Sequence, residues 1–192
     1  MNFSGLYQFI MPKLEQDLSP ALVYHDAAHT QSVLKTTIFL ANEEQLDEES
    51  KELLKSAALL HDTGFLFNHQ DHEASSCNMA KKHLPKLGYA KEQIQRICNL
   101  ILSTKIPHTI LDPLGGYLCD ADLYYLGGNE YEQVSQNLYE EMLSLGKAMS
   151  ETDWLDIQIN FLKQHKYFTQ TAITNQEQGK QANLAKLVAK KL

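Results

Sequence analysis

A histidine and an aspartate stand side by side at the end of an apolar segment, in Leu59-Leu60-His61-Asp62. Imidazole and carboxylate groups together are typical ligands of first-row divalent metal ions. His29 and Asp122 are the further candidates. A buried imidazole or carboxylate without a partner costs free energy, and convergence on one cation would satisfy all four groups. Taken alone, His61-Asp62 is equally a helix C-terminus, where the helix dipole favours a histidine.

Three predicted helices have to bring these groups together. Apolar residues recur at the 3.6-residue period of a helix, and His29, His61 and Asp122 each continue one apolar stripe. The stripes contain, respectively, Val33 and Leu40, Leu54 and Ala58, and Leu118 and Leu126. Asp120 lies off its stripe, so we expect it to cap a helix or to hydrogen-bond to a metal ligand.

The whole chain has the pattern of an all-α protein. Of its 192 residues 43% are hydrophobic, with only 9 glycines and 5 prolines, mostly between periodic segments. This distribution favours helices over a turn-rich β fold. We predict about eight or nine helices, within the segments 3–18, 24–41, 48–61, 72–87, 91–103, 118–126, 130–146, 151–168 and 175–192.

Composition excludes several kinds of partner. A net charge of -7 argues against binding to a nucleic-acid polymer or an anionic membrane. Three widely spaced cysteines, Cys77, Cys98 and Cys119, suit buried thiols in a reducing compartment. Neither a signal peptide nor a transmembrane span is predicted, so we expect a cytoplasmic protein. The sequence leaves open whether the protein forms a homodimer.

The ordered set His29, His61-Asp62 and Asp122 on a helical chain resembles the HD-domain superfamily of metal-dependent phosphohydrolases, over roughly residues 20–170. The resemblance implies a single HD-domain helical bundle over residues 1–192, with helix 175–192 packed on the core. It also implies that these four residues bind Mn, Fe, Co, Ni, Zn or Mg. A hydroxide activated by the metal would attack a phosphoester, and Asp62 would orient this nucleophile.

Other histidines extend the resemblance. Tyr24-His25-x-x-x-His29 is similar to a segment of cyclic-nucleotide phosphodiesterases, which implies that His25 protonates the leaving oxygen, although Asp26 stands where asparagine is usual. His72 and His108 resemble the extra histidines of binuclear members, which hold two metal ions about 4 Å apart. His165 resembles a residue near the substrate cleft, but a packed core histidine fits the pattern equally well.

The sequence that follows His61-Asp62 argues against two subfamilies of HD phosphohydrolases. It lacks the lysine of the His-Asp-Ile-Gly-Lys motif, which is typical of cyclic-di-GMP phosphodiesterases, and the Glu-Asp pair of guanosine tetraphosphate hydrolases. The chain therefore resembles stand-alone predicted HD phosphohydrolases, which implies a nucleotide, cyclic nucleotide or other small phosphoester as substrate and one or two metal ions per chain. Two alternatives are an HD-fold di-iron oxygenase and a nucleotide-binding sensor module with little turnover.

Overall fold

Residues 1–191 of the computed structural model form nine α-helices and three short 3₁₀ turns, with no strand among them. This confirms the all-α prediction. The α-helices are α1 Phe3–Asp17, α2 Ala27–Glu43, α3 Glu48–Leu60, α4 His72–His83, α5 Lys91–Ser103, α6 Gly115–Asp122, α7 Tyr131–Ser144, α8 Glu151–Gln164 and α9 Gln170–Lys191. The 3₁₀ turns are Thr63–Leu66, Leu84–Leu87 and Tyr124–Gly127.

Helix α3 lies at the centre of the bundle and contacts α1, α2, α4, α5 and α6. Its residues 53–60 are buried on almost every side, including the fully buried Leu53, Leu54, Leu59 and Leu60. Burial of a leucine side chain contributes about 1.5–3 kcal/mol, so this helix carries much of the core energy. Because α3 ends inside the protein, His61, which follows its last residue, also lies in the interior.

Several boundaries differ from the prediction. Helix α6 begins at Gly115 and ends at Asp122, and a 3₁₀ turn replaces its predicted last turn. Helix α9 begins at Gln170, five residues before the predicted start, while Leu192 lies outside the described residues. Helix α9 packs on α8 and on the turn Tyr124–Gly127. A Cβ atom at Gly179 would lie 2.0 Å from the Gly127 carbonyl oxygen, so this approach requires glycine.

None of the helices in the described range combines the length and the hydropathy needed to cross a membrane.

Candidate metal centre

The ends of three helices meet at one point in the interior. His29 lies in the first turn of α2, where the Asp26 carboxylate caps the helix by accepting a hydrogen bond of 2.7 Å from the His29 N–H. His61 and Asp62 follow the last residue of α3, and Asp122 ends α6. One ligand atom each of His29, His61 and Asp122 lies within 4.8 Å of the others.

In this cluster each imidazole nitrogen lies close to oxygens of both carboxylates. His29 Nε2 lies 3.1 Å from Asp122 Oδ1 and 3.4 Å from Asp62 Oδ2. His61 Nε2 lies 3.2 Å from Asp62 Oδ2 and 3.6 Å from Asp122 Oδ1. None of these pairs has the geometry of a hydrogen bond. Within residues 1–191, His29 Nε2, His61 Nε2 and Asp62 Oδ2 are therefore buried without a hydrogen-bond partner. Orphaned buried polar atoms are costly, and a cation between them would satisfy all of them.

The protein holds His61 in the orientation that a metal ligand needs. Its Nδ1–H donates to the Ala58 carbonyl at 2.8 Å, which leaves the lone pair of Nε2 directed at the cluster. The Ser76 hydroxyl donates to the His61 carbonyl at 2.7 Å and accepts from the Gly64 N–H at 2.8 Å. A Cβ at Gly64 would lie 1.9 Å from the His72 carbonyl oxygen, so glycine lets α4 begin beside the cluster.

The electrostatics of the cluster favour bound positive charge. Burial raises the pKa of Asp62, but His61 and His29 lower it by more, so this pKa lies well below its usual value. Burial lowers the pKa of His29, but Asp122 and Asp62 raise it to about 9. Burial also raises the pKa of Asp122, but His29 and His61 lower it well below its usual value, so both carboxylates are ionised and draw protons onto the imidazoles. A metal ion would replace those protons on the same atoms.

The sequence profile of the HD domain matches residues 26–156 of this chain, which include all four residues of the cluster. The chain belongs to the HD-domain family. The HD fold is also that of a solved structure, the crystal structure of a predicted HD superfamily hydrolase from an uncultured Thermotogales bacterium. The two chains align with a TM-score of 0.60 and 22% identity, over 99% of this chain and 97% of the other. A search of curated proteins found no match.

Two further predicted histidines of this HD domain lie next to the cluster. His72, the first residue of α4, places Nε2 3.5 Å from Asp62 Oδ1, the oxygen that does not face His29 and His61. The ring of Phe65 stacks on both His25 and His72, with centroid distances of 4.3 and 4.1 Å, and the two histidine rings lie 6.0 Å apart. His25 lines the cleft that reaches Asp62 and Asp122. The structure thus brings six of the predicted site residues together.

Within residues 1–191, no hydrogen bond, ion pair or ring contact joins His108 or His165 to these six residues. His108 contacts Phe168 at a ring distance of 5.9 Å, and burial lowers its pKa while the charge of Asp122 opposes that shift. His165 packs on Phe161 and Tyr167, and neither of its ring nitrogens has a partner within the described chain. Burial lowers the pKa of His165 to about 4, so its ring is neutral at pH 7. Their roles in metal and substrate binding stay predictions.

Asp120 has a different position from Asp122. Its carboxylate accepts hydrogen bonds from the Thr169 N–H and hydroxyl, both at 2.7 Å, and from the Phe168 N–H at 2.9 Å. Thr169 in turn caps α9, because its hydroxyl accepts a hydrogen bond from the Ala172 N–H at 3.2 Å. Asp120 therefore holds the capping residue of α9 in place instead of approaching the cluster.

A cleft of about 740 Å³ opens beside the cluster. The end of the cleft at the candidate metal site, called the metal end below, contains His25, Asp62, His72 and Asp122. The rest of its wall is mainly apolar and aromatic, with Tyr125, Leu126, Tyr131, Leu138, Met142, Trp154, Ile157 and Phe161. A volume of this size and an apolar wall with few polar groups are typical of small-molecule sites.

Two residues at this site, Gln158 and Glu141, were not among the candidate site residues predicted from the sequence. Gln158 of α8 accepts hydrogen bonds at Oε1 from the Tyr131 hydroxyl at 2.9 Å and the Ser135 hydroxyl at 2.5 Å, and it lines the cleft. Glu141 of α7 is 1% exposed and contacts His25. No local pattern marks either residue, because a single polar residue on an amphipathic helix is ordinarily a solvated one.

Proposed function

We propose that this HD domain is a metal-dependent phosphohydrolase that acts on a nucleotide, a cyclic nucleotide or another small phosphoester. The observation that carries the proposal is the set of orphaned ligand atoms at one end of an open cleft. The solved relative is described as a predicted HD superfamily hydrolase, and this description agrees with the proposal.

His29, His61, Asp62 and Asp122 would hold the ion through two imidazole nitrogens and two carboxylates. This donor set suits a divalent first-row metal, and four protein ligands leave coordination positions open for substrate, which is typical of a catalytic site. A divalent ion bound there supplies Lewis acidity, which lowers the pKa of bound water and offsets charge on a phosphoryl group.

The protein's own groups would do the remaining work. Asp62 lines the cleft and turns only Oδ2 toward His29 and His61, so Oδ1 can orient the attacking water. His25 lies at the same end of the cleft and can give a proton to the departing oxygen. General acid catalysis of this kind contributes about 10²–10⁴-fold.

The wall of the cleft supports a substrate with an apolar or aromatic organic part. Lys105 and Lys147 are the two lysines among the lining residues, so the phosphate would be held mainly at the metal end. The organic part would pack against side chains such as Trp154 and Phe161, with the Gln158 amide as a hydrogen-bonding group.

Metal analysis combined with a phosphate-release assay tests the proposal. Protein purified without chelator is expected to contain a divalent metal and to release phosphate from nucleoside monophosphates or an aryl phosphate. A chelator should abolish release, and the metal should restore it. Undiminished release by demonstrably metal-free protein would contradict the proposal. Oxygen uptake by the iron form without phosphate release would identify the protein as the alternative oxygenase. Thermal stabilisation by a nucleotide without turnover would identify it as the alternative sensor module.

A further inference from the structure

Glu141 is a buried carboxylate whose two oxygens are both occupied. Oε2 accepts hydrogen bonds from the Tyr24 N–H at 2.8 Å and the His25 N–H at 2.9 Å. Oε1 pairs with His25 Nδ1. The two partners come from segments 116 residues apart in the sequence, so only the fold brings them together.

The contact determines which nitrogen of His25 carries a proton. A carboxylate only accepts hydrogen bonds, so Nδ1 must be the N–H donor of the ring. Nε2 is then the nitrogen that can exchange a proton with a ligand. Phe65 stacks on the face of the same ring at 4.3 Å and limits its rotation. The ring is thus held both at an edge and at a face.

We propose that Glu141 is a positioning residue for His25. It keeps Nδ1 protonated, holds the ring in place, and so presents Nε2 to the leaving oxygen of a substrate in the cleft. This inference rests on the proposed function, because it assumes that His25 protonates the leaving group. Buried carboxylates that orient a catalytic imidazole in this way also stabilise the imidazolium.

A purely structural role is the alternative that has to be separated. Cavities of about 740 and 670 Å³ flank α7, and Tyr131 and Ser135 of that helix line both. Glu141 could therefore serve only to anchor α7 against residues 24–25. An anchor would affect every substrate equally, whereas a positioning residue matters only where the leaving group needs a proton.

The test compares substrates that differ in their leaving group. With Glu141→Gln, the single amide oxygen cannot serve all three donors, and the positive charge of the imidazolium loses its partner. We expect kcat toward an alkyl phosphoester to fall by at least about tenfold, with less than threefold loss toward a 4-nitrophenyl ester, whose leaving group needs no proton. Glu140→Gln changes the exposed neighbour on α7 and should leave both activities unchanged.

A second measurement needs no turnover. In metal-free protein, ¹⁵N imidazole NMR should show His25 with the proton on Nδ1, and this preference should be lost in Glu141→Gln and in Glu141→Leu. A neutral wild-type His25 ring whose single proton lies on Nε2, or equal losses toward both esters, would overturn the inference. If the wild-type protein hydrolyses neither ester, the proposed function fails, while the NMR measurement still tests the Glu141–His25 contact.

Discussion

Asp120 and Asp122 are two carboxylates on one short helix, and their surroundings are opposite. Asp120 is completely buried and is surrounded by donors, the N–H groups of Phe168 and Thr169 and the Thr169 hydroxyl. Asp122 faces the imidazoles of His29 and His61, and no backbone N–H or hydroxyl within residues 1–191 donates to it. One carboxylate is fully satisfied by the fold, and the other is not.

This difference in hydrogen bonding indicates that Asp120 has a structural role and Asp122 a functional one. A buried carboxylate that accepts several hydrogen bonds contributes to stability, and its removal leaves donors unpaired. A carboxylate that shares a buried cluster with imidazole ligands and orphaned atoms is arranged for a cation. The same substitution at the two positions should therefore affect different measurements.

The largest expected effect is that of Asp122→Ala on activity. The cluster loses one of its two carboxylates, so metal content should drop and kcat/KM should fall by well over about 10²-fold, more than is typical when a residue that only supports a metal ligand is lost. Elemental analysis and phosphate release measure the change, and circular dichroism checks that the helices persist. Full metal content together with full activity would exclude Asp122 as a ligand.

Asp120→Ala should act on stability. Thr169, which caps α9, loses the carboxylate that holds it, and the N–H groups of Phe168 and Thr169 are left without an acceptor, at a cost of about 2–4 kcal/mol in the free energy of unfolding. For a domain of this size the melting temperature should fall by roughly 5–15 °C. Metal bound per folded chain should stay at the wild-type level. A variant with wild-type stability but no metal would reverse the two assignments.

The smallest effect concerns the number of ions. His72 faces the oxygen of Asp62 that points away from His29 and His61. We expect this oxygen and His72 to bind a second ion, so that His72→Ala lowers the metal content from two ions to one per chain and the activity by about 10–100-fold. His83→Ala, at the opposite end of α4, is the matched control, because His83 packs on Phe9 and does not line the cleft. An unchanged ion count would leave His72 as a hydrogen-bonding partner of Asp62 alone.

Much of the His and Asp cluster could be predicted because helical phase is a local property. His29, His61 and Asp122 each continue an apolar stripe, and a polar residue in such a stripe must point inward. The helical fold follows from the same periodicity, together with the scarcity of glycine and proline. The boundaries of α6 and α9 were wrong by several residues, because packing against neighbouring helices decides where a helix ends.

The partners of these groups could not be predicted, because they come from distant parts of the chain. Phase alone did not reveal that Asp120 would meet residues 168–169, or that Glu141 would meet His25. By itself, the sequence determined which side chains face inward and hence which ligands are available. Only the tertiary structure decided which buried carboxylates find donors and which remain unpaired, since that depends on how α6, α7 and α9 pack.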